Sequence, residues 1–216
     1  MWHIDLGLVR RILLVGAHSD DIEIGLGGTI LNLAVQHPDL EVWWVVFSAR
    51  GGRAEEAQKS AEEFLSGVSR RQIRIESFRE SYFPSDWAGI KEYFEQLKKE
   101  IDPDLVFTHY RHDRHQDHRV LSDLCWNTFR NHLILEYEIL KFDGDFGQPN
   151  VFVPLSKEMA DRKVNLLLKH FQSQSTKHWF TRDSFEAVHR IRGVESASST
   201  GYAEAFYCRK LVLTHT

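Results

Sequence analysis

The chain has 216 residues, and its 31 acidic against 27 basic side chains give a formal charge of −4 that leaves twelve histidines uncounted. A hydrophobic share of 42% supplies a sizeable core and excludes global disorder. No apolar run approaches the roughly 18 residues of a spanning helix, and mild acidity without clustered Lys and Arg argues against a general nucleic-acid binder.

The opening MWHIDLGLVRRILLVGAH has too short an apolar run for a secretory signal, so the expected setting is cytoplasmic. Arg11–Ala17 (RILLVGA) reads as a buried strand. After the glycines at 25, 27 and 28, residues Thr29–Gln36 read as a helix ended by His37-Pro38-Asp39, and Glu41–Phe47 as a second strand. Arg53–Leu65 is the next expected helix and Arg74–Phe78 a short strand. Trp87–Glu100 places Trp87, Ile90, Phe94 and Leu97 at helical spacing, before Asp102-Pro103 and an Asp104–Thr108 strand. Arg119–Arg130 reads as helix, Ile134–Leu140 as strand, Asp143–Asn150 as loop and Val151–Leu155 as a further strand. A helix from Ser156 to about Gln174 and an edge strand within Tyr202–Leu213 complete the series. Such alternation predicts an α/β fold: a Rossmann-like, mainly parallel sheet between helical layers, a three-layer sandwich with ligands at the strand carboxyl ends. No linker or repeat divides the chain, so residues 1–216 are expected to form a single domain.

Two segments carry chemistry. Ala17-His18-Ser19-Asp20-Asp21 follows the first strand, and His109, His112, His115 and His118, with Asp113 and Asp117 between them, follow the strand at Asp104–Thr108. Both lie at strand carboxyl ends, on one rim of a parallel sheet. Cys125 and Cys208 lack a CxxC spacing, so neither a zinc ribbon nor a disulfide scaffold is available. Three His and Asp ligands with an open fourth position are instead the usual recipe for catalytic zinc, with a neighbouring carboxylate left free to act as base.

AHSDDIEIGLGGT resembles the AHPDD(E) motif of the LmbE/PIG-L family of zinc-dependent deacetylases, and HQDH at 115–118 resembles its HxDH motif. The Arg53/Glu56 pair and GYAEAF at 201–206 extend the match in the family's order. The resemblance implies that His18, Asp21 and His118 bind one zinc ion and that Asp20 is the general base. It also implies that His115 stabilises the tetrahedral intermediate or protonates the leaving amine. Arg53, Asp86 and Tyr202 match positions that contact substrate, and Asp117 would orient a ligand ring. The implied activity is removal of the N-acetyl group from an amino sugar or its conjugate, by a protein whose relatives assemble as trimers or hexamers. Ser19 departs from the family's Pro, which frees an N–H and relaxes φ.

Other readings of the same residues are a metal-dependent phosphoesterase or nuclease, which two metals about 3.5–4 Å apart would favour, and a non-catalytic sugar- or metal-binding module, against which Asp20 and His115 argue. Asp20 and Asp21 also suit a helix cap. His109 reads as a buried or hydrogen-bonded strand end, His112 as a loop residue or substrate contact, and the tryptophans as packing material, with Trp43 and Trp44 on opposite faces of one strand. The glycines do not form a dinucleotide loop: Ile30 stands where a third glycine is required, and Ser48-Ala49-Arg50 lacks the acidic residue.

Overall fold

The computed structural model of the protein describes residues 7–212. The first six residues of the opening segment and Leu213, the last of the expected C-terminal strand, lie outside them. In chain order the elements are β1 (Arg11–His18), α1 (Asp21–Gln36), β2 (Glu41–Ser48), α2 (Gly52–Phe64), β3 (Arg70–Ile75), α3 (Trp87–Glu100), β4 (Leu105–His109), α4 (Gln116–Thr128), β5 (Leu133–Tyr137), β6 (Val151–Pro154), α5 (Lys157–His170), α6 (Arg182–Glu195) and β7 (Ala203–Cys208).

The strands form one seven-stranded sheet in the order β3-β2-β1-β4-β5-β7-β6. β1 to β5 are mutually parallel, and β7 runs antiparallel between β5 and β6. The chain moves outward from β1 to β3, then crosses back to lay β4 on the other side of β1. The order therefore reverses between β1 and β4, which opens a crevice beyond their carboxyl ends.

Alternate residues of the central strands feed two cores, as the pleat requires. Ile12, Leu14, Val42, Trp44 and Phe107 face one, with α1, α2 and α5; Leu13, Val15, Trp43, Val45 and Val106 face the other, with α3 and α4. Trp43 and Trp44 thus separate as expected. The three-layer α/β sandwich is the observed architecture.

Four differences from the expected elements have physical causes. β3 lies four residues before the expected Arg74–Phe78; its sequence RRQIRI is a charged edge strand with only Ile73 and Ile75 apolar, so no buried run marked it. β7 is not an edge strand: it is buried between β5 and β6, and its polar Glu204 has internal partners. α6 was not expected. Thr181 caps it by accepting the Ser184 N–H, but its buried face carries His189 and Arg192 beside Phe185, which hides the apolar period.

The fourth difference bears on the site. α1 starts at Asp21 rather than Thr29 and runs through the glycines with a break at Leu26 (φ −145°, ψ 17°). A Cβ on Gly25 would stand 2.2 Å from Cδ2 of the buried Tyr137, so only glycine lets the helix start lie against β5. The break frees backbone groups. Glu204 accepts the Gly28 and Thr29 N–H groups at 2.8 and 2.6 Å, and Lys163 donates to the Ile24 carbonyl at 2.7 Å. Close packing and this long-range cap outweigh the poor helix propensity of glycine.

Candidate metal centre

The tight turn after β1 and the segment after β4 meet at the β1/β4 crevice. His18 ends β1, Asp21 opens α1, His109 ends β4, His115 is the N-cap of α4 and His118 lies in its first turn. The three-residue histidine spacing therefore does not mark one helix face, since only His118 is helical. His112 is exposed in the connecting turn, edge-on to Tyr110 at 5.4 Å.

Nδ1 of His18, Oδ2 of Asp21 and Nε2 of His118 form a triangle with sides of 3.3, 3.4 and 3.2 Å. The remaining ring nitrogens are committed. His18 donates from Nε2 to Oδ2 of Asp117 at 3.1 Å, and His118 from Nδ1 to Oδ2 of Asp113 at 2.9 Å. Two neutral imidazoles so oriented turn lone pairs towards each other and towards a carboxylate oxygen. Three buried acceptors in mutual contact repel unless positive charge sits among them. Ligands about 2.0–2.1 Å from a tetrahedral zinc stand about 3.3–3.4 Å apart, so the triangle has the right size for that ion.

The surroundings hold this arrangement. Asp117 accepts N–H groups from Ser81 at 2.6 Å and Phe83 at 3.2 Å, and Ser81 adopts φ 66° to present its N–H. Asp113 accepts the His115 N–H at 2.7 Å and Lys141 Nζ at 3.0 Å. Asp113 had no assigned part in the sequence reading; its five-residue spacing from His118 across the start of α4 was the only signal. Without an ion among the acceptors a proton takes that place: burial opposes charge on His18, but Asp21 and the hydrogen-bonded Asp117 outweigh it and lift the ring to about 10. Burial likewise opposes ionisation of Asp21, yet His118, His18 and His109 hold that carboxyl well below its usual range. The cluster is built to retain positive charge.

His109 is buried against the same group: its Nε2 lies 3.3 Å from Oδ2 of Asp21 and accepts the Ala17 N–H at 2.9 Å. His109, Asp21 and His118 form a second possible ligand set, and His18, His115 and His118 another. These sets share members with the triangle, so they describe alternatives at one centre. Nδ1 of His115 accepts the Asp117 N–H at 3.3 Å, which leaves the proton of the neutral ring on Nε2. Burial, then the neighbouring His118 and His18, push this imidazole down to about 4.

Asp20, the other carboxylate of the pair, stays out of the triangle. Its carboxyl is raised by burial and by Asp21 against the opposing pull of Arg53. Arg53 reaches across from the first turn of α2, with Nη2 3.6 Å from Oδ1 of Asp20. Its Nε and Nη2 donate to Ser19 Oγ at 3.1 and 2.9 Å, and its Nη1 to Glu80 at 3.0 Å. The hydroxyl that replaces proline in the first motif thus grips the arginine. The cleft above these groups has a volume of about 230 Å³, and its outer wall is formed by Lys141, Phe142, Lys177 and Trp179. Those four, distant in sequence from both motifs, carried no functional signal. The two remaining candidates are not brought to the cleft: Asp86 is exposed at the N-cap of α3, and Tyr202 lies before β7 under Arg190, 4.9 Å from its ring.

The sheet order and the acceptor triangle define an α/β protein with a candidate metal centre at its topological switch point. A family model described as PIG-L, GlcNAc-PI de-N-acetylase, matches residues 13–129, and the chain belongs to that family. Among solved structures it is similar to an N,N'-diacetylchitobiose deacetylase from Pyrococcus horikoshii, with a TM-score of 0.71 and 21% identity over 95% of this chain and 87% of that one. The zinc-inhibited form of teicoplanin deacetylase Orf2 matches with a TM-score of 0.71 and 16% identity over 92% and 97% of the two chains. GalB, the 4-carboxy-2-hydroxymuconate hydratase from Pseudomonas putida, matches with a TM-score of 0.72 and 17% identity over 96% and 99%.

Proposed function

We propose that the protein is a zinc-dependent hydrolase that removes the N-acetyl group from an N-acetylated amino sugar or its conjugate. The observation that carries this reading is the acceptor triangle of His18, Asp21 and His118 with Asp20 and His115 on the same cleft. One ion bound there would supply Lewis acidity and bring the pKa of water toward neutrality. Asp20, its carboxyl raised by burial, takes the proton of the attacking water as the new C–O bond forms. His115, neutral and protonated on Nε2, donates a hydrogen bond to the oxyanion that develops on the acetamide oxygen. Asp20 then returns its proton to the nitrogen as the C–N bond breaks, which leaves acetate and an amine. Arg53, fixed by Ser19, binds the sugar part; Asp86 and Tyr202 stand off the cleft and are left out of the assignment.

The family description and two deacetylase neighbours support this reading. GalB favours a second one, addition of water to an unsaturated acid on the same fold. Among the described residues no helix is long and apolar enough to cross a membrane. The test is acetate release from a panel of N-acetyl sugars by zinc-loaded protein. Release that stops on chelation, and in Asp20→Asn protein that still holds zinc, is expected. A zinc-loaded protein that releases acetate from no member of the panel contradicts the proposal.

A further inference from the structure

The connection between β5 and β6 supplies Lys141, Phe142 and Asp143 to the wall of the metal cleft. Phe142 is exposed, but the Lys141 side chain is only 10% exposed and its ammonium stands between two buried carboxylates. Nζ lies 3.0 Å from Oδ2 of Asp113, and 2.7 and 2.5 Å from Oδ1 and Oδ2 of Asp145. Those carboxylates are 2% and 8% exposed, and Asp145 is itself anchored by the Arg114 N–H at 2.7 Å. An ammonium has three N–H donors, and three carboxylate oxygens take them, so Lys141 lines the cleft with no donor left for a substrate.

Oδ2 of Asp113 serves two donors at once. It accepts Nδ1–H of His118 at 2.9 Å and Nζ of Lys141 at 3.0 Å, while Oδ1 takes the His115 N–H. The carboxylate behind the other ligand ring is different: Asp117 accepts from His18 and from the Ser81 and Phe83 N–H groups, and has no Lys or Arg partner among the described residues. A carboxylate behind a metal-bound imidazole raises the ring's basicity by pulling on its proton. A cation on the same oxygen opposes that pull, because its charge stabilises the carboxylate's own. We propose that Lys141 is a positioning residue for the metal: it fixes Asp113 against His118 and limits the charge that Asp113 lends to the ring, so that a bound ion keeps its Lewis acidity for the acetamide. The inference rests on the deacetylase reading for the ion and its reaction, and names the side chain outside the ligand set that tunes them.

Zinc affinity, read by competition against a chelator, tests it. Lys141→Met alone would leave Asp113 and Asp145 facing each other with no cation between them. The variant is therefore Lys141→Met/Asp145→Asn, which keeps the net charge and an Asn oxygen for the Arg114 N–H. It should bind zinc about tenfold more tightly than the parent, and its kcat for acetate release should fall with KM unchanged. Asp145→Asn alone leaves Lys141 with Asp113 as its one carboxylate partner and should shift zinc affinity the opposite way, to weaker binding. Zinc affinity that is unchanged or lower in the double variant, or a KM that rises while kcat holds, overturns the inference: Lys141 then only braces the wall that carries Phe142, and the deacetylase reading stands as long as the parent releases acetate. Tighter zinc binding in the double variant, with no acetate released from any N-acetyl sugar by the parent, upholds Lys141 as the tuning residue and removes the deacetylase reading.

Discussion

Two buried polar clusters flank the broken start of α1, and they are built on opposite principles. Behind it, Glu204 accepts from Gly28, Thr29 and Lys163, and Lys163 also donates to Ile24, so each charge has a counter-charge and hydrogen bonds. In front of it, His18, Asp21 and His118 turn three acceptors inward while the other ring nitrogens are tied to Asp117 and Asp113, and the inward Oδ2 of Asp21 also accepts the His18 N–H at 2.7 Å. The first cluster is closed and holds the broken helix in place; the second is left open to a cation. Buried polar groups in native proteins are nearly always satisfied. An open cluster held by a closed one is therefore the more informative of the two.

That contrast breaks most completely with His118→Ala, which removes one corner of the triangle. Zinc should no longer bind stoichiometrically and acetate release should fall to the buffer rate, as metal analysis and an acetate assay would read; full zinc occupancy would refute the triangle. Lys163→Met strikes the closed cluster and leaves Glu204 as an uncompensated buried charge, a loss of about 3–5 kcal/mol. Urea denaturation should show that loss, and a variant as stable as the parent would remove the claim that this cluster holds α1. Asp113→Asn and Asp117→Asn keep the shape around the ligand rings but weaken their orientation, so zinc affinity should fall about 10–100-fold. Competition against a chelator measures it, and unchanged affinity would demote both aspartates to packing.

The effect that is smallest near neutral pH is that of a buried imidazole. His189 lines the cavity beside Lys163 and Glu204. Burial, then Lys163, push its imidazole down to about 2. A folded value below the unfolded one means that the unfolded chain takes the proton first as pH falls. Below about pH 6.5 this residue should cost stability at up to about 1.4 kcal/mol per pH unit, an effect absent at neutral pH. The difference between the pH profiles of the parent and His189→Gln reads this contribution directly; superimposable profiles would contradict it.

The sequence made the open cluster more legible than the closed one. RILLVGA and DLVFT are apolar runs, so β1 and β4 and their carboxyl ends were visible, and with them the meeting of the first motif with the histidine segment, while the choice of His18, Asp21 and His118 came from the family resemblance. Asp113 was in view without a role because its partner ring is fixed only once α4 has a starting point at Gln116. Lys163, Glu204, His189 and Arg192 were hidden for a different reason. They are polar residues on buried faces; Lys163, Glu204 and Arg192 are satisfied by residues far away in the chain, as Arg192 is by Glu138 at 2.7 Å, while Nδ1 of His189 has no hydrogen-bond partner among the described residues. Periodicity reads such positions as exposed. Phe142, Lys177 and Trp179 join the cleft from separate loops, and nothing local distinguishes them.

The central claim is that the triangle holds one divalent cation. Anomalous diffraction at the zinc edge from crystals of the zinc-loaded protein tests it most directly. The account predicts one peak per chain, bound by Nδ1 of His18, Nε2 of His118 and the Asp21 carboxylate, with Asp20 outside the coordination sphere. A peak ligated by His109 in place of His18, a pair of peaks about 3.5–4 Å apart as in two-metal hydrolases, or no peak at the β1/β4 crevice would contradict it.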